Sequence, residues 1–292
     1  MKSALCFFAS FLFSLSLFAT EGERVFYVDA AAKNADSNGS VNAPFNTFEQ
    51  AIAAAHADIN QQDARVKNGK AAPVSIFLRS NVYVEEAVFL TVPIMINGEN
   101  TPEITFGENA GFVVERTSLE ISGCLINRSE RFTEPRTVPV LYGSHAIITL
   151  NSVSVTVKEG GDAMILRDSQ FVCTDTSFQS EQNAQAVLIR AEKSSFSAIS
   201  STFSTSGLMA LCFDFVKTQG ALTDTVCNLT AQYTGRLAEL TDSTLKVQKV
   251  RCSYTSPLFE KMDAAIVTDS TSKIELPQSI VLSGFSGTLV RR

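Results

Sequence analysis

The sequence has no tryptophan and only two histidines, and its basic residues are outnumbered by acidic ones. With 24 Lys and Arg against 30 Asp and Glu, the net charge is −6, which excludes the strongly basic surface expected of a nucleic-acid-binding protein. No C-x-x-C pair or Cys/His cluster occurs, which excludes the usual zinc sites. We therefore predict no nucleic-acid partner and no cofactor, with calcium left open below.

Long hydrophobic runs are also absent, apart from one at the N-terminus. Met1 and Lys2 precede an apolar run from Ala4 to Phe18, which is typical of a secretory signal peptide and shorter than the roughly 20 residues of a membrane span. We place the signal at 1–19, with cleavage after Ala19, and an uncleaved membrane anchor is the alternative. The protein is then expected to be exported, to the periplasm, the cell surface or the medium, with no transmembrane segment after signal removal.

What the chain does contain is a six-residue pattern that returns seven times, at intervals of 23 to 29 residues. In each hexad the first, fourth and sixth places face one side, and the sixth place is always apolar. The second and third places are mostly polar. The hexads are ISGCLI, LNSVSV, CTDTSF, AISSTF, LTDTVC, VQKVRC and LPQSIV, beginning at Ile121, Leu150, Cys173, Ala198, Leu222, Val247 and Leu276.

Apolar residues at a spacing of two indicate strands with one buried face, and the two polar residues indicate a bend between two strands. A third apolar run precedes each hexad by 9 to 11 residues. We therefore predict an all-β protein, a parallel β-helix of about eight coils with three short strands in each. Its sixth places should stack into one column, Ile126, Val155, Phe178, Phe203, Cys227, Cys252 and Val281. A leucine-rich repeat and a β-sandwich are the alternatives.

The segment before the coils predicts a capping helix. Asn46 with Glu49, or Thr47 with Gln50, supplies a helix-start signature, and an apolar face follows from Phe48. We predict a helix at about 46–58 within an N-terminal cap of 20–73, followed by coils over 74–292. The whole of 20–292 is then one β-helix domain.

Four stretches near the N-terminus, FYVD, APFNTFEQAIAAA, IFLRSNVYVEE and IMINGEN, make a family resemblance visible. They are similar to the opening of secreted, right-handed parallel β-helix proteins of the pectin-lyase-like superfamily. The chain departs from that pattern at Asn81, where Gly is usual. The resemblance implies the fold, and it suggests polysaccharide lyase or hydrolase activity as an expectation to be tested against the residues.

The catalytic constellations of that superfamily are incomplete in this sequence. Asp214-Phe215 matches part of a D-F-I-F-G-like strand, without the second aspartate or the arginine motif. Asp175 and Asp224 fall in bends two coils apart, and His145 has no evident partner. We therefore predict a non-catalytic protein that binds a glycan, a surface or a protein partner. A polysaccharide-active enzyme, a pectate-lyase-like lyase or a glycoside hydrolase with a diverged site, is the alternative.

The variable loops after the sixth places are the predicted binding flank, because insertions in solenoids gather on one side. The candidate binding residues there are Arg128, Arg131, Arg136, Tyr233, Arg236 and Tyr254. Asp242 and Asp269, in adjacent coils, are weak calcium candidates, and a turn-forming role is the alternative.

Two further expectations concern the core and the end of the stack. Cys227 and Cys252 should lie together in the sixth-place column, as buried thiols or as a disulfide. The segment VLSGFSGTLVRR contains no helical cap, so the C-terminal coil edge is a possible self-association surface.

Overall fold

The computed structural model describes residues 24–32, 36–63, 72–128, 138–158, 162–181, 185–275 and 280–291. It confirms the predicted architecture, a parallel β-solenoid of about eight turns with one helix near its N-terminus. The predicted Arg131 and Arg136 lie outside the described residues, as does Leu276 to Ser279 of the last hexad. No helix within the described residues is long and apolar enough to cross a membrane.

Sheet 1 is a ten-stranded parallel sheet in which each strand comes from a successive coil. Its strands, in spatial order, are β1 (Arg24–Val28), β2 (Val74–Leu78), β5 (Ile94–Gly98), β8 (Ser118–Ser122), β11 (Ile147–Asn151), β14 (Gln170–Thr174), β17 (Ser195–Ile199), β19 (Gln219–Thr223), β21 (Thr244–Gln248) and β24 (Lys273–Glu275).

Sheet 2 has sixteen strands and forms the other two sides of the coil. The strands that follow sheet 1 in each coil form its leading half: β3 (Val82–Val84), β6 (Glu103–Phe106), β9 (Leu125–Arg128), β12 (Ser154–Lys158), β15 (Ser177–Glu181), β22 (Arg251–Thr255) and β25 (Val281–Ser283). The strands that precede sheet 1 form its trailing half: β4 (Val88–Leu90), β7 (Phe112–Glu115), β10 (Leu141–Ser144), β13 (Met164–Arg167), β16 (Gln185–Glu192), β23 (Ile266–Thr268) and β26 (Leu289–Arg291). Two long strands, β18 (Thr202–Val216) and β20 (Val226–Thr241), run through both halves.

The predicted column of sixth places is confirmed from its first to its sixth member. Strand register aligns Ile126 with Val155, then Phe178, Phe203, Cys227 and Cys252, and all six are buried. The prediction for Val281 is wrong: Leu282 aligns with Cys252, and Val281 is 59% exposed. Ile274 on β24 aligns with Leu245 at an offset of 29 residues, whereas Leu282 on β25 aligns with Cys252 at an offset of 30, so one extra residue between β24 and β25 shifts the register.

Single residues in the left-handed conformation turn the chain at both ends of six sheet 1 strands, β8, β11, β14, β17, β19 and β21. After the strand, the third place of each of the first six hexads has φ between 49° and 64°: Gly123, Ser152, Asp175, Ser200, Asp224 and Lys249. Before the strand, φ lies between 47° and 55° at Arg116, His145, Asp168, Lys193, Lys217 and Asp242. Asp and Asn tolerate this conformation better than most residues, which explains the recurrence of Asp at these bends.

A ladder of buried hydroxyl groups follows the second set of bends. The backbone N–H of Ser169 donates to Ser194 Oγ at 3.0 Å, and that of Ser194 donates to Thr218 Oγ1 at 3.3 Å. The same contact joins Thr218 to Ser243 Oγ and Ser243 to Ser272 Oγ, each at 3.0 Å. Each hydroxyl thereby satisfies a buried backbone donor of the preceding coil.

The N-terminal helix α1 (Phe48–Asp63) confirms the predicted cap, although it ends five residues later than expected. Thr47 and Gln50 form the reciprocal start contact: Gln50 N–H donates to Thr47 Oγ1 at 3.3 Å, and Thr47 N–H donates to Gln50 Oε1 at 3.2 Å. The helix is tied to β1 by an ion pair of 2.7 Å between Arg24 and Asp58.

The described cysteines are all buried and free. Cys227 and Cys252 face each other on β20 and β22 as the column predicts, with thiols filling the core. Burial raises the pKa of both thiols, because desolvation disfavours the thiolate. The structure therefore contains two free thiols at these positions, and the disulfide alternative is wrong.

Candidate functional site

Arg128, predicted to bind a ligand, lies inside the protein. Its side chain is completely buried, with Nη1 donating to the Val138 carbonyl at 2.8 Å and Nη2 donating to the Ala110 carbonyl. The guanidinium thus ties the end of β9 to the carbonyl groups of two loop residues. A ligand on the surface cannot reach it in this arrangement.

Tyr254 is also buried, at 5% exposure, and its ring lies against Phe285 at 5.6 Å between centroids. A Cβ on Gly235 would fall 2.3 Å from the Tyr254 ring, so only glycine fits there. Arg128 and Tyr254 occupy the same register position, yet five strand steps, about 24 Å, separate them. Tyr233 is 53% exposed. The described members of the predicted set do not form one site.

Arg236 does belong to a cluster of charged residues on the outer face of the trailing half. Arg190, Asp214 and Glu239 are register neighbours on β16, β18 and β20. Arg190 Nε contacts Asp162 Oδ2 at 2.6 Å, and its Nη1 contacts Asp214 Oδ2 at 2.9 Å. Arg236 is ion-paired to Glu239. These five residues, Asp162, Arg190, Asp214, Arg236 and Glu239, are called the charged cluster below.

The two carboxyl groups on Arg190 are in a desolvated environment. The side chains of Asp162 and Asp214 are 15% and 28% exposed. Burial raises the pKa of Asp162, an effect that Arg190 partly offsets and Asp214 reinforces. Burial also raises the pKa of Asp214. Arg190 lowers this pKa, and Glu239 raises it further. Raised carboxyl pKa values in a surface cleft mark a functional-site candidate, although ion-pair networks also perturb pKa values.

Apolar side chains continue the same outward column beside the charged cluster. Ile165 on β13 is the register neighbour of Arg190, and Tyr142 on β10 is the neighbour of Ile165. Both are half-buried. Ile165, Arg190 and Asp214 line a common cleft, together with Arg167 and Glu192. The site therefore combines an apolar surface, an arginine and two desolvated carboxyl groups; we call it the trailing-face site.

Of the charged cluster, the sequence predicted only Arg236 as a binding residue, although a signal for others was present. Arg190, Asp214 and Glu239 are spaced 24 and 25 residues apart, one coil each. Asp214 was discounted because no second aspartate or arginine stood nearby in the chain. The fold supplies both partners from earlier coils: Arg190 is one coil away and Asp162 lies 52 residues before Asp214.

The calcium candidates Asp242 and Asp269 are adjacent, as predicted, but Asp269 is engaged in the turn. Its carboxylate accepts hydrogen bonds from the N–H of Asp242 at 2.9 Å, of Thr271 at 3.2 Å and of Ser272 at 2.8 Å, and from Thr271 Oγ1 at 3.0 Å. Hydrogen bonds from Ser272 and the Asp242 backbone lower the pKa of Asp269. Among the described residues, no group of three or more His, Cys, Asp and Glu gathers as a metal site.

The remaining catalytic candidates lie in bends. Asp175 and Asp224 are two coils apart, with Ser200 in the equivalent place between them. His145 Nδ1 lies 3.3 Å from Ser144 Oγ, and Asp168 occupies the equivalent bend of the next coil. None of these arrangements has the desolvated carboxyl pair that distinguishes the trailing-face site.

Comparisons with known proteins found similarity among solved structures alone. No protein-family model and no curated protein matches this chain. Among solved structures, the chain is similar to the GH136 lacto-N-biosidase from Eubacterium ramulus. The native structure gives a TM-score of 0.34 at 8% identity, covering 92% of this chain and 68% of that one. The selenomethionine derivative gives 0.32 at 7% identity, covering 91% and 68%. Likeness at this level carries no argument about activity.

Proposed function

We propose that this protein is an exported, non-catalytic β-helix protein that binds a glycan on the trailing-face site. The observation that carries the proposal is the Arg190 guanidinium shared by Asp162 and Asp214 beside an apolar surface. The proposal includes remote membership of the pectin-lyase-like superfamily, on the basis of the N-terminal motifs.

Sugar rings present hydroxyl groups around their edge and C–H groups on their faces. Carboxylates accept hydrogen bonds from hydroxyl groups, and guanidinium groups donate to hydroxyl oxygens in a fixed planar geometry. In the trailing-face site, Tyr142 and Ile165 supply the apolar surface and the charged cluster supplies the donors and acceptors. Few polar groups placed beside an apolar surface are the usual composition of a small-ligand site.

The ion pairs that hold the carboxylates favour a binding role over a catalytic one. Asp162 and Asp214 both contact Arg190, and Glu239 contacts Arg236. Glycoside hydrolysis uses one carboxyl group as acid and a second as nucleophile or base across the scissile bond. A guanidinium lying between the two groups occupies the position that the sugar linkage would need. The predicted binding role of the loop residues Arg131, Arg136 and Tyr233 stays a prediction.

The test is calorimetric titration of the purified protein with a panel of neutral and acidic oligosaccharides. We expect at least one to bind, and we expect Arg190→Gln and Tyr142→Ala each to weaken that binding at least about tenfold, as loss of about 1.4 kcal/mol gives. Arg251→Gln is the matched control, because Arg251 is exposed on the leading half. Unchanged affinity in Arg190→Gln, or no binding to any member of the panel, would overturn the proposal.

A polysaccharide-active enzyme is the second candidate, favoured by the raised pKa values of Asp162 and Asp214. A carboxyl group with a raised pKa is better suited to act as a general acid than one with its ordinary pKa. Incubation with the same panel separates the two candidates. New reducing ends or unsaturated uronate absorbance, lost in Asp214→Asn, would establish the enzyme.

A further inference from the structure

The last strand of sheet 1 has one paired edge and one open edge. β24 pairs in parallel with β21, which aligns Lys273 with Thr244, Ile274 with Leu245 and Glu275 with Lys246. In the part of the chain that the structure describes, no strand pairs with its other side. An open strand edge presents backbone donors and acceptors that can pair with another chain.

The opposite end of the solenoid is closed in a different way. There α1 packs on β1, β2 and β3 and buries Phe48, Ala51 and Ala55. The ion pair between Arg24 and Asp58 fixes the helix to β1. The described residues hold no corresponding helix at the β24 end. The two ends of the stack therefore differ in what they offer to a partner.

The side chains of β24 complement a second copy of the same strand. If two copies pair in an antiparallel manner about Ile274, Lys273 of each copy lies opposite Glu275 of the other. Opposite charges directly across an antiparallel pair are stabilising, and like charges are destabilising. A slip by two residues would bring Lys273 against Lys273 or Glu275 against Glu275. Only the register centred on Ile274 is favourable for both charges.

The same two-fold axis matches the other two strands of the terminal coil. It exchanges the two halves of sheet 2, so β25 of one copy faces β26 of the other. Both strands are three residues long. They carry exposed apolar side chains: Val281 is 59% exposed, Leu289 37% and Val290 41%. Burial of these groups would add to the backbone hydrogen bonds formed across the joint.

We propose that this end of the solenoid is a self-association surface, on which a second copy of the chain docks head to head through β24. The interface is isologous, because each copy contributes the same patch. It closes at two copies, since the opposite end of each is covered by α1. This inference does not depend on the glycan-binding proposal.

The experiment is a charge-exchange series measured by sedimentation equilibrium across a range of protein concentrations. We expect the wild-type chain to reach twice the monomer mass. Lys273→Glu and Glu275→Lys should each weaken dimerisation roughly tenfold or more, because two attractive pairs become repulsive. The double variant Lys273→Glu/Glu275→Lys should restore it, since the exchanged charges again face opposite partners.

Lys193→Glu, an exposed change in a bend several coils away, is the control and should leave the dimer intact. Thermal melts of every variant show whether it folds. A wild-type monomer at high concentration overturns the inference, and so does a folded double variant that stays monomeric. Association that none of the three variants changes would also overturn it, because the copies would then associate through a contact other than β24.

Discussion

Phe178 and Phe203 lie on adjacent strands of the leading half with their rings stacked, 5.5 Å between centroids and 7° between planes. Both are buried, and Phe213 meets Phe203 edge-on at 4.9 Å. A parallel stack has this form because register places the same position of successive coils about 4.8 Å apart. The aromatic rings therefore hold neighbouring coils together across the interior.

Replacing Phe178 with Asp should prevent folding. The change removes a stacked ring, and loss of a buried phenylalanine alone costs about 3–5 kcal/mol, to which the burial of an unpaired charge adds several more. That sum approaches the 5–15 kcal/mol by which a typical domain is stable. Soluble yield and a thermal melt are the measurements. Gln179→Asp, an exposed change one residue away, should behave as wild type. A cooperative melt of Phe178→Asp near the wild-type temperature would contradict the stacking argument.

Ser243→Ala tests the hydroxyl ladder. Ser243 Oγ accepts from Thr218 N–H at 3.0 Å and lies 2.8 Å from the Thr241 carbonyl, so alanine leaves a buried backbone donor unsatisfied. We expect the free energy of unfolding to fall by about 1–3 kcal/mol, measured by urea titration. Ser270→Ala removes an exposed hydroxyl from the same region and should change stability by less than about 0.5 kcal/mol. Equal effects of the two changes would show that the ladder contributes nothing specific.

The fold followed from the sequence because the repeat makes the buried positions periodic. Column members such as Phe178 and Phe203 occupy the equivalent inward position in successive coils, and stacking of the coils buries them. The prediction for Val281 was wrong because a longer connection moved the register by one residue, which the local sequence pattern does not indicate. Arg128 was expected in a surface loop because a charged residue after a strand suggests one, whereas its side chain is buried and its partners are carbonyl groups distant in the chain.

The site was less predictable than the fold. Asp162, Arg190 and Asp214 are each unremarkable within their own coil, and their contacts exist only between coils. Motifs are recognised among residues that are close together in the chain, whereas the surface sites of a solenoid combine residues from successive coils. Comparison of equivalent outward places in successive coils would have found Arg190, Asp214 and Glu239.

Calcium should leave the melting temperature unchanged. The carboxylate of Asp269 already accepts four hydrogen bonds from the turn, so its oxygens would have to give up these donors to bind a cation. Thermal melts with millimolar calcium and with a chelator provide the measurement. A calcium-dependent rise in melting temperature, lost in Asp242→Asn, would instead support a metal site at this bend.

Asp214→Asn should weaken glycan binding without destabilising the protein. Burial raises the pKa of Asp214 from its ordinary value of 3.8, so ionised Asp214 is disfavoured in the folded state. A group with a raised folded pKa contributes stability that is complete below the unfolded pKa and is lost as pH rises through the folded value. Above that value the asparagine variant, which cannot ionise, should be at least as stable as wild type.

The pH dependence separates this explanation from a simple structural role for the ion pair. Wild type should gain stability relative to Asp214→Asn as pH falls from neutrality through the raised pKa to 3.8, below which the contribution of the carboxyl group is complete. Urea titrations of both proteins across this range give the difference directly. If Asp214 mainly stabilised the fold through Arg190, the variant would instead be less stable at neutral pH, and the gap would close on acidification. That result would identify the charged cluster as a structural ion-pair network and remove the main support for the trailing-face site.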